Sequence, residues 1–287
     1  MHYLPAPKAN PLIKKSTMLL LLAGQWSIFS FGRQAGIPLL RSYSGTGAYS
    51  RHQSDVFSFS ANPAALGKTR HFAAGLYGER KFLLDELSSY SFAGTVPAFG
   101  GGFGLSVIKQ GKEGMNQLQA GLAYGRELGE KIAVGAQFNY HSIAIAGYGS
   151  AAAVTAEAGM ALRLTEQLEA GFHISNPAGG RFGEGGAEKL PAVYAAGIGY
   201  DASEKVYVAA FLRKEESLPA DVMACMQYRI IPQVMVKAGC QSSPALFWMG
   251  AGFQYQSLRI EAAASYHLQL GITPGVLFIF SGKNKKE

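Results

Sequence analysis

The chain of 287 residues carries a formal charge of +7, yet only 16% of its residues are charged, beside 36 glycines and 48% hydrophobic residues. A soluble domain ordinarily carries about 25% charged residues, so this composition argues against a body solvated on every side. The positive charge sits at the ends. Residues 1–32 hold three lysines and no acid, the tail 283–287 holds three lysines against one glutamate, and the body between them is only about +2. Charge at the ends is poor evidence for nucleic-acid binding, which requires a basic face or stripe.

The first 32 residues read as a secretory signal peptide. Lys8, Lys14 and Lys15 precede an apolar core from Met18 to Phe31, and small residues follow around Ser30 and Gly32. This core is short of the roughly 20 apolar residues of a transmembrane helix and has the layout of a cleaved leader. Residues 33–69 come next, Gly-rich at first and then "DVFSFSANPAALG". Asn62 suits a helix N-cap, Pro63 the first helical position and Gly67 the stop, so a single short helix is expected ahead of an otherwise strand-like chain.

From about residue 70 the pattern has period two. In "KIAVGAQFNYH" the even positions Ile132, Val134, Ala136, Phe138 and Tyr140 are apolar, whereas the odd ones include Gly135, Gln137, Asn139 and His141. The same alternation predicts strands over 70–80, 86–96, 101–109, 115–126, 130–144, 151–164, 166–176, 191–201, 204–213, 220–230, 233–241, 245–256, 257–268 and 272–281. Fourteen strands of roughly ten residues have the number and length of a transmembrane barrel. Short connections ("LGE", "TE", "ASE", "IP") alternate with longer ones such as "NPAGGRFGEGGAEKL", the asymmetry of periplasmic turns and outer loops. Tyr77, Tyr124, Tyr140, Tyr200, Tyr207, Tyr228, Tyr255 and Tyr266 lie toward strand ends and are expected in interfacial girdles. The polar parity places Glu157, Arg163, Glu169, His173, Lys237, Arg259 and Glu261 in the lumen, among many small residues. A lumen so sparsely charged is expected to be narrow and filled, and residues 40–67 are the available filler. Cys225 and Cys240 fall on opposite faces of neighbouring strands, so no disulfide is expected between them.

"GTGAYSRHQSDVFSFSANPAAL", "LPAVYAAGIGY" and the closing "ASYHLQLGITPGVLFIF" resemble the FadL-like superfamily of outer-membrane barrels, including the Bacteroidetes PorV and PorQ type. The resemblance implies an all-β fold: a transmembrane antiparallel β-barrel of about 14 strands whose N-terminal segment folds into the lumen as a hatch. The chain then divides into signal peptide (1–32), hatch (33–69), barrel (70–281) and basic tail (282–287). In the transport branch, long-chain fatty acids or other hydrophobic compounds pass the hatch. Asn62, Pro63 and Ala64 match its Asn-Pro-Ala box, with Phe57, Phe59 and Leu66 as neighbours on the ligand path. In the PorV branch the barrel serves type IX secretion or surface-protein attachment, with secretion-system components as partners. Only Asp55 remains here of that superfamily's acidic stretch, and the loops are short.

Enzyme chemistry finds no constellation. His141 and Ser142 are adjacent and therefore point to opposite faces of a strand, no His/Cys cluster has metal spacing, and the Gly-rich stretches lack the context of a phosphate loop. The sequence therefore implies no enzyme, metal or cofactor, with outer-membrane lipid and hydrophobic small molecules as partners and no nucleic acid. Asp55 and Glu157 are expected to pair with lumen arginines for structural reasons. An uptake channel predicts an apolar pocket near Asn62–Leu66, whereas a docking barrel predicts a solid lumen and an exposed patch over Phe182–Lys189.

Overall fold

The structure, a computed structural model, describes residues 43, 45–112, 114–182 and 188–282. The expected signal peptide (1–32), residues 33–42, the tail 283–287 and most of the expected Phe182–Lys189 patch lie outside them.

Strands β1 (Ala73–Arg80), β2 (Ser88–Ala98), β3 (Gly101–Gly111), β4 (Met115–Leu128), β5 (Ile132–Ile145), β6 (Gly149–Arg163) and β7 (Leu168–Ser175) form one run of antiparallel neighbours. A two-residue ribbon follows, β8 (Arg181–Phe182) with β9 (Glu188–Lys189). The wall resumes with β10 (Val193–Asp201), β11 (Val206–Glu215), β12 (Asp221–Ile231), β13 (Val234–Ser242), β14 (Ala245–Tyr255), β15 (Leu258–His267) and β16 (Gly271–Ser281). β10 pairs with β7, and β16 pairs with β1 from Ala73↔Ser281 to Glu79↔Gly275, closing a fourteen-stranded antiparallel barrel. Each of the fourteen expected strands is present, its ends within about two or three residues of the sequence reading. Closure leaves no unpaired edge, which is the condition for β-structure in a hydrocarbon layer.

The alternation sorts side chains as the sequence implies. Outward positions on β5, β14 and β16 carry Val134, Phe138, Phe247, Met249, Phe253, Val276 and Phe278, most of them strongly exposed. The charged residues facing outward from the barrel strands are Arg80, Lys109, Arg126 and Lys214, each within two residues of a strand end. A charge-free apolar band therefore encircles the barrel, as the lipid face of a membrane-spanning barrel must. Among the described residues no helix is long and apolar enough to cross a membrane. Tyr140, Tyr200, Tyr228, Tyr255 and Tyr266 are exposed on this outer face. Tyr77 and Tyr207 are not in the girdle: they share parity with Glu79 and Ala209, point inward and are buried. Cys225 is buried, Cys240 is exposed, and both thiols are free.

The two ends differ. At the end bearing the start of β1 and the finish of β16, the connections 99–100, 129–131, 164–167, 202–205, 232–233 and 256–257 are two to four residues long. The β2–β3 turn is formed by Phe99 and Gly100, both at positive φ, which matches the twist of a two-residue hairpin. The opposite end bears the longer connections, including 81–87 and the 17 residues between β7 and β10. In a bilayer the short turns face the periplasm and the longer loops the exterior.

Candidate functional site

Residues 45–69 contact the barrel wall around its circumference, which places them inside it. They contain short 3-10 helices at Gly45–Tyr49, Ser58–Ser60 and Pro63–Lys68. Asn62 is extended at the cap of the third, and its side chain accepts a hydrogen bond from the Ala64 amide at 3.0 Å. The helix runs one residue past the expected stop, to Lys68, with Thr69 as its C-cap. Gly67 lies within it, pressed so close to β4 that a Cβ would come within 2.9 Å of the Arg126 backbone.

Asn62 also holds the wall. Its Nδ2 donates to the carbonyls of Met160 on β6 (3.1 Å) and Phe172 on β7 (3.2 Å), and lies 3.2 Å from the Tyr49 hydroxyl. The approach requires a bare backbone opposite: a Cβ on Gly159 would sit 2.0 Å from Asn62 Oδ1. Gly197 on β10 likewise makes room for the Tyr49 ring, which a Cβ there would meet at 2.1 Å. Further round, Ser50 donates to Asp201 at 2.6 Å, Tyr207 donates to the Thr46 carbonyl at 2.6 Å, and Gln227 donates to Gln53 at 2.5 Å. Lys68 Nζ reaches Glu169 at 2.5 Å and the carbonyls of Ala48 and Ser50. Arg51 pairs with Glu166 in a periplasmic turn.

The far side is an ion network. Asp55 pairs with Arg259 at 2.5 Å, Arg259 with Glu261 at 2.7 Å, and Glu261 with Lys237 at 3.1 Å. Lys237 also stands 4.7 Å over the Tyr43 ring, which meets Trp248 edge-on at 5.3 Å. The expected pairing of Asp55 with a lumen arginine is present. Glu157 instead takes His173 (2.8 Å), Asn139 (2.8 Å) and Ser175 (3.1 Å), because the neighbouring inward positions on β5 and β7 are polar and uncharged or imidazole. Arg163 lies at the periplasmic rim near Glu127 and the Glu130 carbonyl. His141 faces inward toward Thr155 at 2.9 Å, whereas Ser142 is on the other face.

Phe57, Phe59 and Leu66, with Val56 and Tyr43, form an apolar core with Tyr77, Trp248, Leu277 and Ile279 of the wall. Apart from Arg163 at the rim, the site residues named from sequence separate into three groups. Asn62, Pro63, Ala64, Phe57, Phe59 and Leu66 are buried in the inner segment. Lys237, Arg259, Glu261 and Glu169 bind that segment, and Glu157 with His173 lies above it. Tyr43, Tyr49, Ser50, Gln53, Lys68, Tyr77, Tyr207 and Trp248 were not singled out as contacts. Strand parity marks Tyr77 and Tyr207 as inward, and Tyr49 lies within the Gly-rich "GTGAYS".

The bonds of the inner segment lie toward the end with the short turns, and Glu157, His173 and His141 stand beyond it. The outer half of the lumen is a cup of about 800 Å³. Its floor includes Ser60 and Ala61, its wall the extracellular ends of the strands, and its rim loop residues such as Phe82, Leu87, Leu218, Pro244 and Leu270. The 176–192 connection at this rim is tied down by Asn176, which donates to the Leu190 carbonyl, and by Lys189, 2.9 Å from Glu216. That lysine's hydrogen bond holds the exposed Glu216 carboxyl below its usual range. Among the described residues no cluster suited to a metal ion is present.

No family model and no curated protein matches the sequence. Solved structures do match its fold. The toluene transporter TbuX of Ralstonia pickettii aligns with a TM-score of 0.58 at 13% identity, over 88% of this chain and 98% of that one. The Pseudomonas putida toluene transporter TodX gives 0.62 at 12%, over 85% and 99%, and a FadL homologue of Pseudomonas aeruginosa gives 0.57 at 12%, over 84% and 97%. At such identities the shared property is the fold, a closed fourteen-stranded barrel.

Proposed function

We propose that this protein is an outer-membrane channel for passive uptake of hydrophobic small molecules, with residues 45–69 acting as the hatch between an outer cup and the periplasm. The observation that carries the reading is the division of the lumen: a cup of about 800 Å³ ends on a segment held by side-chain bonds and packing rather than by strand pairing. A ladder costs many backbone hydrogen bonds to open, whereas a segment seated this way can shift without unzipping the wall. The structural likeness to toluene transporters supports the same reading. Docking of secretion components is the alternative: the inner half of the lumen is packed, with Asn62–Leu66 buried and outside the cup, and the open outer half favours uptake.

The test is entry of a fluorescent hydrophobic probe into liposomes bearing the full chain. Entry several-fold faster than into empty liposomes is expected, and slower entry when Ala195→Trp narrows the cup. Equal rates with and without protein, or an Ala195→Trp protein that transports as well as the parent, would overturn the reading. Retention of the compact, heat-modifiable barrel on gels controls for folding.

A further inference from the structure

The cup is two-sided. On β10, β11, β12 and β14 its wall presents Ala195, Phe211, Met223 and Leu246, with Gln241 of β13 between the last two and its amide bonded to the Ser243 carbonyl. Facing them, β15, β16, β3, β4 and β7 present Ser265, Thr273, Gln110, Gln117 and His173. These are opposite arcs of one closed barrel, so the division is a property of the lumen rather than of one strand. His173 is fixed from behind by Glu157, and Phe211 by the tilted Tyr49 ring at 5.6 Å. Both faces are therefore pre-organised by neighbours. A flexible alkyl chain gains nothing from the polar arc and leaves its hydrogen-bonding groups without partners, a desolvation cost. A molecule with a polar edge and an apolar face satisfies both arcs at once.

Size and charge narrow the class further. A cavity of roughly 150 Å³ accommodates benzene, so about 800 Å³ is several-fold more than a single ring needs. It falls in the roughly 300–1,000 Å³ range of sites for drug-sized ligands. Toward the rim, Glu79, Glu86, Glu215 and Asp221 line the cup beside two cations, Lys81 and Arg213. This balance is net negative and disfavours a carboxylate ligand.

Resting on the uptake reading above, we infer that the cup selects neutral, facially amphipathic molecules of drug size, rigid ring systems with hydroxyls along one edge. It does so over fatty-acid anions and over single-ring hydrocarbons. The probes are hydrocortisone, its hemisuccinate, androstane, palmitate and toluene, each measured by equilibrium dialysis against the full chain in nanodiscs, with empty nanodiscs subtracted. Hydrocortisone is expected to bind at least tenfold more tightly than the hemisuccinate, palmitate or toluene. Gln117→Leu is expected to weaken hydrocortisone about tenfold while leaving androstane unchanged, and Gln117→Asn to recover part of the loss. Palmitate or toluene binding as tightly as hydrocortisone would overturn the inference, as would a Gln117→Leu variant indistinguishable from the parent. The two readings fail differently. If palmitate or toluene enters liposomes through the protein while hydrocortisone neither binds nor enters, selectivity falls and uptake stands; if no probe enters, both fall.

Discussion

Replacing Asn62 by Ala should unseat the inner segment without harming the barrel. Asn62 is fully buried and makes the cap to Ala64 and bonds to Met160 and Phe172. Losing the cap costs about 1 kcal/mol, and each neutral hydrogen bond contributes about 1 kcal/mol more. The total of about 3 kcal/mol corresponds to about a hundredfold rise in the unseated population. The wall keeps its ladder, because Met160↔Phe172 and the surrounding pairs of β6 and β7 involve no Asn62 atom. Trypsin reports the change at Lys68, whose side chain is 13% exposed and bound to Glu169 when seated. Where opening and closing are fast relative to cleavage, cutting tracks the open population. Cleavage after Lys68 in nanodisc-embedded protein is therefore expected to accelerate about a hundredfold in Asn62→Ala, while cutting after the already exposed Arg51 changes little. Asn62→Asp keeps the cap but removes the donor facing two carbonyls, so it should do no better than Ala. Cleavage at Lys68 within twofold of the parent, in a barrel still folded, would refute the assignment of these bonds to the seat.

Two further outcomes test the other side of the lumen and the orientation of the wall. Arg259→Met leaves Asp55 and Glu261 as buried carboxylates short of a partner, a loss of about 3–5 kcal/mol for a broken buried pair; single-channel conductance should show frequent openings that the double change with Asp55→Asn partly suppresses, and an unchanged record in Arg259→Met would contradict the role of this pair. In detergent, a maleimide should modify Cys240 in the native barrel and Cys225 only after unfolding, since their neighbouring backbones present opposite faces. Native labelling of Cys225 would contradict the inward assignment of β12.

Much of the barrel was legible because its rule is local. Period-two alternation places Phe138 outward and Asn139 inward whatever the rest of the chain does, and turn residues mark where each run ends. By the same parity Glu157, Arg163, Glu169, His173, Lys237, Arg259 and Glu261 share the inward face of their strands. Tyr77 and Tyr207 depart from the girdle because parity, not closeness to a strand end, sets the face, and an aromatic near an end serves the inner segment as readily as the interface. Asn62 and Pro63 were recognisable as a helix start, since capping depends on neighbours in sequence. That Gly67 spaces the helix from Arg126 rather than stopping it depends on β4, about 60 residues away.

By itself the sequence determined how many times the chain crosses, which end carries the longer loops and which side chains look inward, all consequences of backbone geometry repeated every two residues. Only the tertiary structure decided what those inward side chains meet. Asp55 and Arg259 are 204 residues apart, and Ser50 and Asp201 are 151 apart. Their encounter depends on closure of β1 onto β16 and on the height at which the inner segment sits. Closure likewise sets the four apolar side chains of β10–β14 opposite the polar ones of β15–β7, and so creates the cup, because a lumen is a relation among strands and no single strand encodes it.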